Sequence, residues 1–404
     1  MDRSLVGKNI AELRKKYGWK QGDLANKLRV SDKAISKWEC GTGYPEITQL
    51  PALAEIFNVS VDYLLRGEHR GIVIAGSIII DNLKVVESYP ERGMLTNIIS
   101  TSKAVGGCVS NTLIDLAIID KKLPLSAIGR VGDDENGRYI ISQLQKHNID
   151  TSFIKITDGV STAFSDVITE QHDGARTFFT NSGANDLFSP DDVPVETINC
   201  DMLHIGYILL LKMFDMPDSE YGTVMARFLK RCQDNMIKTS FDVVSDTSGA
   251  YKEKIIPALK YTNYCIINEI EACGVTGLDP RNPDGTVNVE NIRATMEKFF
   301  EYGVKDKVII HCKEAGFCLS SNGEFTSVGS VDVPREMIKG ACGAGDAFCA
   351  GCLYAIYNGM EDLEMLEFAS GAAVCNLSSE DSVGGMKSKE EIQKIVKKYG
   401  RMKF

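Results

Sequence analysis

Hydrophobic positions follow two different patterns in this chain, one before and one after residue 70. In the first part, apolar residues recur at intervals of three or four, as at Leu24 and Leu28 and again at Ile35 and Trp38. That spacing places them on one face of short amphipathic helices. After residue 70, short apolar runs alternate with longer helical patterns. The chain therefore predicts a small all-α domain followed by an α/β domain with a mostly parallel sheet.

Capping signals in the first part predict two helices joined by a tight turn. Ser31 is a good N-cap, and Val30 and Ile35 occupy the two positions of a hydrophobic staple around it. Lys20 and Gly22 are weak choices for the cap and the first turn of the preceding helix. Two short helices joined in this way form a helix-turn-helix unit.

This segment resembles the Cro/phage-repressor (XRE) family of helix-turn-helix domains. The S-x-x-x-I-S-x-W-E pattern of residues 31–39 carries the resemblance, together with residues 45–47 and 53–65. The resemblance implies that residues 31–37 form a recognition helix, that the partner is double-stranded DNA, and that the protein is a homodimer. The side chains implied at the DNA are Gln21, Ser31, Asp32, Lys33, Ser36 and Lys37. A small helical domain that mediates protein contacts is the alternative.

Six strand-like runs in the second part predict strands. They are Val73–Ala75, Leu125–Ile128, Met202–Ile205, Thr239–Asp242, Tyr264–Ile267 and Val308–His311. In parallel sheets, ligands bind at the carboxyl ends of the strands. The chemistry of this domain is therefore expected along one edge of the sheet.

A glycine-rich turn precedes an apolar helical run near the C-terminus. Residues 340–346 read GACGAGD. Small residues let the backbone approach an anion, and the helix N-terminus adds a partial positive charge. An aspartate at this position suits a general base that deprotonates a hydroxyl attacking a phosphoryl group. A plain turn in which Asp346 caps the helix is the alternative.

From residue 71 onward, the chain resembles the ribokinase/PfkB family of carbohydrate and nucleoside kinases. Five segments carry the resemblance in the family's order: GIVIAG with Asp81 (71–81), GGCVSN (106–111), DGARTF with GAN (173–185), NEIE (268–271) and CGAGD (342–346). The resemblance implies a ribokinase-like three-layer domain with a mostly parallel sheet. It also implies a small β lid over the sugar, built from residues 82–100 and 160–185.

The same resemblance implies a role for each motif in the ATP-dependent phosphorylation of a sugar hydroxyl. Asp346 is the implied base, with the backbone N–H groups of Gly343, Ala344 and Gly345 stabilising the transferred phosphoryl group. The implied substrate ligands are Asp81, Gly106, Gly107 and Asn111. The implied nucleotide-side residues are Asn268 and Glu271, acting through water on Mg²⁺, and Gly316.

Three positions depart from the family pattern. Lys313 stands where the nucleotide-binding segment has its first glycine, and residues 242–245 (DVVS) stand where many relatives have D-P-N. Gly340 replaces an acid that is often linked to a monovalent-cation site. A potassium requirement therefore stays open, while the base and the anion-binding turn are retained and predict an active enzyme.

Charge and cysteine content agree with this division. Residues 1–70 hold 12 Lys and Arg against 9 Asp and Glu, a net charge of +3, and the remainder holds 33 against 46, a net charge of −13. The 12 scattered cysteines, the absence of a signal-peptide pattern and the lack of an apolar run of about 18 residues predict a cytoplasmic protein that does not enter a membrane. Cys349 and Cys352 are interpreted as core residues of a helix.

Gly67–Gly71 is the predicted boundary between a DNA-binding domain (1–67) and a kinase domain (71–404). The predicted function is sugar phosphorylation coupled to sequence-specific DNA binding and transcriptional regulation. Two alternatives stay open: a nucleoside kinase of the same fold, and a non-catalytic regulator that senses a sugar. A P-loop kinase is excluded because G-x-x-x-x-G-K-[ST] is absent from the sequence.

Overall fold

The computed structural model describes residues 3–57, 59, 61–66, 70–172, 174–244, 249–379 and 381–404. The chain divides into two compact units, Met1–Arg70 and Gly71–Phe404. Residues 67–69 of the predicted boundary lie outside the described part, as do Asp173 and Ser245 of the sequence motifs. None of the helices in the described ranges combines the length and apolar character that a membrane span requires.

The N-terminal unit is all-helical, as its sequence predicts. Its helices are α1 (Arg3–Lys16), α2 (Gln21–Leu28), α3 (Asp32–Glu39), α4 (Leu50–Phe57) and α5 (Val61–Arg66), with a 3-10 turn at Ile47–Gln49. Leu24, Ile35 and Trp38 are buried in one apolar cluster, and Leu28 packs against it. The amphipathic faces expected from the sequence are confirmed.

Helix α2 compensates for its weak cap. Lys20 offers no capping acceptor, but the Asp23 carboxylate accepts a hydrogen bond from the Lys20 backbone N–H at 2.7 Å. At α3 the Ser31 hydroxyl accepts from the Ala34 N–H at 3.2 Å, which is the expected N-cap. A side chain at Gly22 would bring a Cβ within 3.3 Å of the Asp32 carboxylate, so the glycine makes room where the two helices meet.

Arg14, Gln21 and Glu39 tie the first three helices together. The Arg14 guanidinium donates two hydrogen bonds to Glu39, with Nε to Oε1 at 2.6 Å and Nη2 to Oε2 at 2.8 Å. The Gln21 amide also donates to Glu39 Oε2 at 2.8 Å. Burial alone would raise the pKa of Glu39, but hydrogen bonds from Arg14 and Gln21 outweigh it and lower the pKa. This partly buried network fixes α3 against α1 and α2.

The larger unit is built on a nine-stranded sheet. In order across the sheet its strands are β15 (Phe325–Gly329), β14 (Ala315–Ser320), β13 (Lys307–His311), β12 (Tyr264–Asn268), β11 (Lys238–Val243), β8 (Met202–Ile208), β1 (Ile72–Gly76), β4 (Leu125–Gly132) and β5 (Asp150–Thr157). The strands from β13 to β5 are parallel, while β14 and β15 are antiparallel additions at one edge. All six predicted strands fall within it.

Helices cover both faces of this sheet. They are α6 (Gly107–Ile119), α7 (Glu135–Lys146), α8 (Val224–Asp234), α9 (Tyr251–Leu259), α10 (Glu269–Thr276), α11 (Val289–Tyr302), α12 (Ala344–Tyr357), α13 (Asp362–Asn376) and α14 (Lys389–Lys398). Alternate residues of β1 enter different cores: Ile72 and Ile74 pack with α6, α12 and α13, whereas Val73 and Ala75 pack with α8, α9 and α11. The expected three-layer architecture is thereby confirmed.

A separate four-stranded sheet forms the predicted lid. Its strands, in order, are β3 (Ile98–Gly106), β2 (Ile79–Val86), β6 (Phe164–Glu170) and β7 (Arg176–Asn181). Because β2 pairs Asp81 with Ala104 and Ser165, these residues share one face of the lid. Two-residue strands complete the unit: β9 (Pro217–Asp218), β10 (Gly222–Thr223), β16 (Val331–Asp332) and β17 (Gly400–Arg401).

The N-terminal unit can be followed on its own, because Trp19 and Trp38 are the only two tryptophans in the chain. Ile35→Ala is expected to lower its free energy of unfolding by about 2–5 kcal/mol, since Ile35 is fully buried. Urea denaturation of the full chain, followed by tryptophan fluorescence, measures this change. The exposed control Lys33→Ala should change the free energy by no more than about 0.5 kcal/mol. Equal effects of the two substitutions would contradict the assigned core.

Candidate active site

Asp346 lies in the first turn of α12 with only 7% of its surface exposed. Its Oδ2 accepts a hydrogen bond from the Asn111 amide at 2.8 Å, and its Oδ1 accepts from the Tyr207 hydroxyl at 2.7 Å. Burial raises the pKa of Asp346, while the two hydrogen bonds oppose that rise. A buried carboxylate with both oxygens oriented and a raised pKa has the properties of a general base.

Neither hydrogen bond to Asp346 was predicted from the sequence. Asn111 is predicted to hold substrate hydroxyls, and the structure shows that its amide orients Asp346. Tyr207 is a site residue that the sequence analysis missed. It lies near the end of β8, a central parallel strand whose carboxyl end reaches the expected ligand-binding edge. Its position in the sheet was the signal that could have found it.

Asp81 lies on β2 and is 9% exposed. A Cβ added to Gly106 would come within 2.3 Å of the Asp81 Oδ2, so a side chain there would have to displace this carboxyl. Gly107 has φ +81°, and a Cβ there would come within 2.5 Å of the Ser77 carbonyl oxygen. The glycine pair therefore permits a close approach of the lid strand to the start of α6. Burial, and then the charge of Asp346, raise the pKa of Asp81 to about 6.

The turn before α12 is suited to an anion. Gly343 has φ +76° and is the N-cap of the helix, and a Cβ there would come within 2.5 Å of the Ser382 carbonyl oxygen. The first backbone N–H groups of a helix lack acceptors within the helix. Those of Ala344 and Gly345 therefore face outward at the positive end of α12, although Ala344 N–H also makes a long 3.4 Å hydrogen bond to the Ala341 carbonyl.

Asn268 and Glu271 form a capping box at the start of α10. The Asn268 Oδ1 accepts from the Glu271 N–H at 2.9 Å, and the Glu271 carboxylate accepts from the Asn268 N–H at 3.2 Å. Asp242, at the end of β11, is buried nearby. Its pKa lies well above the usual range because of burial first and the charges of Glu271 and Asp346 second.

The side-chain oxygens of Asn268, Glu271 and Asp242 are of the kind that Mg²⁺ prefers. Within the described ranges there is no group of three or more His, Cys, Asp or Glu side chains that could hold a metal ion directly. Mg²⁺ favours oxygen ligands and commonly keeps several of its waters. A divalent cation would also relieve the mutual repulsion of Asp242, Glu271 and Asp346.

A cavity of about 450 Å³ adjoins the anion-binding turn. Ala344 and Gly345 form part of its wall, and the remainder is mainly apolar, with Phe348, Val374 and Leu377 among its residues. Such a cavity suits a flat base whose phosphates reach the helix N-terminus. Asn268 also lines the cavity, so the capping box lies at the cavity wall.

Of the predicted nucleotide residues, Gly316 lies behind this cavity. It is buried in β14, and a Cβ there would come within 3.1 Å of the Phe348 ring, which itself lines the cavity. Lys313, which replaces a family glycine, is exposed and lines the cavity directly. His311, which the sequence analysis assigned only to a strand, also lines the cavity and lies 4.7 Å from Phe348, ring centre to ring centre.

In the N-terminal unit, the predicted DNA-facing residues lie mostly at the surface of α3. Ser31, Asp32, Lys33 and Lys37 are exposed, and Ser36 is half-buried. Gln21 differs, because its amide donates to Glu39 within the unit. The charged side chains Asp32, Lys33 and Lys37 are therefore exposed on α3, while Gln21 is half-buried and bonded to Glu39.

Comparisons with known proteins agree with both units. The sequence profile of the pfkB family carbohydrate kinases matches residues 70–389, and that of a helix-turn-helix domain matches residues 7–70. One relative, the 5-dehydro-2-deoxygluconokinase of Geobacillus thermodenitrificans, is 26% identical over 305 residues, covering 74% of this chain and 86% of the relative.

Solved structures share the fold. The ribokinase of Thermotoga maritima superposes with a TM-score of 0.66 at 19% identity, covering 81% of this chain and 99% of the ribokinase. The Arabidopsis thaliana ribokinase complexed with ribose and ATP gives the same TM-score, identity and coverage.

The charge of Asp81 is expected to oppose folding. Because its pKa is raised from 3.8 to about 6, Asp81→Asn should stabilise the protein at neutral pH by up to about 3 kcal/mol. The gain should be absent below pH 3.8, where the carboxyl is protonated in both folded and unfolded chains, and should grow as the pH rises to about 6. Thermal denaturation across this pH range measures it.

The exposed residue Asp158 provides the control. Asp158→Asn should leave the melting temperature close to that of the unmodified protein at every pH. If Asp81→Asn instead lowers the melting temperature at neutral pH, the Asp81 carboxylate stabilises the fold and the expectation that its charge opposes folding is wrong.

Proposed function

We propose that this chain, which belongs to the pfkB family of carbohydrate kinases, transfers the γ-phosphoryl group of ATP to a sugar hydroxyl with Asp346 as the general base. The observation that carries the proposal is the buried Asp346 carboxylate, held by Asn111 and Tyr207 at the N-terminus of α12. A base held in this way is positioned before the substrate arrives, so little reorganisation accompanies the reaction.

The proton and the phosphoryl group move in opposite directions. Asp346 takes the proton of the sugar hydroxyl, whose oxygen then bonds to the γ-phosphorus while the bond to the β-phosphate oxygen breaks and ADP leaves. The N–H groups of Gly343, Ala344 and Gly345 donate to the oxygens of the transferred group. Asp81, Gly106, Gly107 and Asn111 lie around the acceptor sugar. Burial of Asp346 brings its pKa closer to neutral pH and strengthens it as a base.

Mg²⁺ would be held through water by Asn268 and Glu271, where it would neutralise charge on the nucleotide phosphates. ATP is supported by the apolar cavity beside Gly345 and by the related ribokinase whose structure holds ATP. Relatives named as 5-dehydro-2-deoxygluconokinases and ribokinases support a sugar or sugar derivative as the acceptor.

We also propose that the N-terminal unit binds double-stranded DNA and that the protein regulates transcription. The support is a helix-turn-helix domain match and the exposed Lys33 and Lys37 on α3. Helix-turn-helix dimers bind half-sites about 34 Å apart, so a homodimer on a pseudo-palindromic operator is the arrangement to test. The cytoplasm is the compartment in which the two proposed activities would meet their ligands.

Asp346→Asn is expected to lower kcat by about 10²–10⁴ with the preferred substrate, because the amide cannot accept the proton. A panel of sugars and nucleosides with ATP identifies that substrate and measures kcat. Circular dichroism and the melting temperature establish that the variant is folded. Nearly unchanged turnover would contradict Asp346 as the base, and preferred turnover of a nucleoside would replace the sugar assignment. A sugar that binds to the unmodified protein but is not phosphorylated would favour a sugar-sensing regulator.

Lys37→Ala is expected to weaken operator binding and to reduce the slope of log K against log salt by about 1, because one phosphate contact is lost. The operator is first selected from random DNA with the full chain. Lys305→Ala, at an exposed lysine of the larger unit, is the matched control and should leave both quantities unchanged. Failure of the full chain to select any DNA sequence would contradict the DNA-binding proposal.

A further inference from the structure

Asp115 is a buried carboxyl group that the proposed reaction does not use. It lies in α6 and is 0% exposed. Neither of its carboxylate oxygens has a hydrogen-bond partner within the described parts of the chain. An ionised carboxylate in this position would bear the full cost of its burial. The group is therefore expected to be neutral, with a hydroxyl of its own that can donate.

The charges around Asp115 also favour the protonated form. After burial, the negative charges of Asp346 in α12 and Asp381 in the loop after α13 raise the pKa of Asp115 well above its usual range. Cys375 in α13 is a further titratable neighbour, since the charge of Asp115 in turn raises the pKa of its thiol. None of these three groups supplies positive charge. An ionised Asp115 would be repelled by both carboxylates, whereas a protonated one is not.

Asn111 offers an acceptor on the same face of α6. It precedes Asp115 by four residues, which is the spacing at which two helical side chains are neighbours. Because helical side chains lean toward the N-terminus, that of Asp115 lies over the turn that carries Asn111. The Asn111 Nδ2 donates to Asp346, but its Oδ1 is buried and lacks a hydrogen-bond partner in the described ranges. A carboxyl group and an amide oxygen on one helix face are thus both unpartnered.

Only the protonated form of Asp115 can join these two groups. The Asn111 Nδ2 does not donate to Asp115, because neither Asp115 oxygen has a donor among the residues that the structure describes. The bond that remains runs from a carboxyl hydroxyl of Asp115 to the Asn111 Oδ1. Thr112, three residues before Asp115, is not the donor, because its own buried hydroxyl is equally without a partner there.

We propose that Asp115 donates a hydrogen bond from its protonated carboxyl group to the Asn111 Oδ1, and so holds the Asn111 amide with its NH2 group toward Asp346. Asp115 is a positioning residue for the base: it acts through Asn111 and keeps its proton throughout the reaction. The inference rests on the proposed kinase function for its effect on turnover, whereas the hydrogen bond itself can be observed without a substrate.

Infrared spectroscopy at neutral pH tests the hydrogen bond directly. A protonated carboxyl group has a C=O band apart from those of carboxylates, and the band of Asp115 is the one missing from Asp115→Asn. Asn111→Ala should shift this band, because the Asp115 hydroxyl loses its acceptor. Thr112→Val, which removes a buried, unpartnered hydroxyl from the same helix, should leave the band in place. Absence of the band from the unmodified protein, or an unshifted band in Asn111→Ala, would overturn the inference.

Turnover tests the effect on the base. Asp115→Asn keeps a donor for the Asn111 Oδ1 and should retain most of kcat. Asp115→Leu has no donor and should lower kcat by about 3- to 10-fold, as expected for the loss of one hydrogen bond. The KM for ATP should be unchanged in both variants, and Thr112→Val should match the unmodified protein. Circular dichroism establishes that each variant is folded, and the infrared measurement does not depend on Asp115→Leu.

The pH profile separates positioning of the base from a general loss of structure. A base must be ionised to work, so kcat/KM falls on the acidic side of its pKa. The hydrogen bond from Asn111 lowers the pKa of Asp346, and weakening it lets that pKa rise. The acidic limb should therefore move to higher pH by about 0.5–1 unit in Asp115→Leu, and stay in place in Asp115→Asn and Thr112→Val.

Several kinetic results would overturn the inference while leaving the kinase function intact. They are equal losses of kcat in Asp115→Asn and Asp115→Leu, an acidic limb that does not move in Asp115→Leu, and a monovalent-cation requirement that Asp115→Asn abolishes. In the last case a cation, and not a proton, would neutralise Asp115. If no sugar or nucleoside is phosphorylated while the infrared band responds to Asn111→Ala, the hydrogen bond is supported and the kinase proposal is overturned.

Discussion

The structure depends on the burial of one carboxylate, that of Asp346, although burying a charged carboxylate costs free energy. Asp346 is nearly fully buried, and burial disfavours its charged form. Three contributions offset that cost: the Asn111 amide, the Tyr207 hydroxyl and the positive end of α12. The two hydrogen-bond donors are 235 and 139 residues away along the chain, so the site exists only when α6, β8 and α12 are packed together. Folding of the three layers and assembly of the site are therefore one event.

The other acids of the site follow from the same constraint. Asp81 and Asp242 lie close enough to Asp346 for its charge to raise the pKa of each. A pocket so rich in buried carboxylates can receive a nucleotide only where positive charge is supplied. In the proposed function, the backbone N–H groups of the glycine-rich turn would supply part of it, and Lys313, which lines the adjoining cavity, would supply more.

In the N-terminal unit, too, a carboxylate is withdrawn from water and stabilised by hydrogen-bond donors. The Glu39 carboxylate is partly buried, and the Arg14 guanidinium pairs with both of its oxygens. Breaking such a pair leaves an uncompensated charge, which is why it fixes the relation of α1 and α3 firmly. Because this network uses groups from behind α3, the opposite surface of the helix keeps its own polar side chains exposed. This exposed surface is the one proposed to face DNA.

The sequence by itself determined the architecture, and it also predicted Asp346 and Asn111, which the structure joins by a hydrogen bond. The predicted strands all fall within observed ones, because parallel strands covered on both faces are mostly apolar along their length. The sequence also identified glycines that the backbone requires. Gly107 and Gly343 adopt positive φ, and each lies against the backbone of another segment. Only the tertiary structure decided which side chains form hydrogen bonds with one another. Tyr207 lies in no motif, Asn111 donates to Asp346, and Gln21 donates to Glu39. Local patterns record the environment of a residue along the chain, but a hydrogen bond between distant segments depends on sheet order and helix packing, which no local pattern contains.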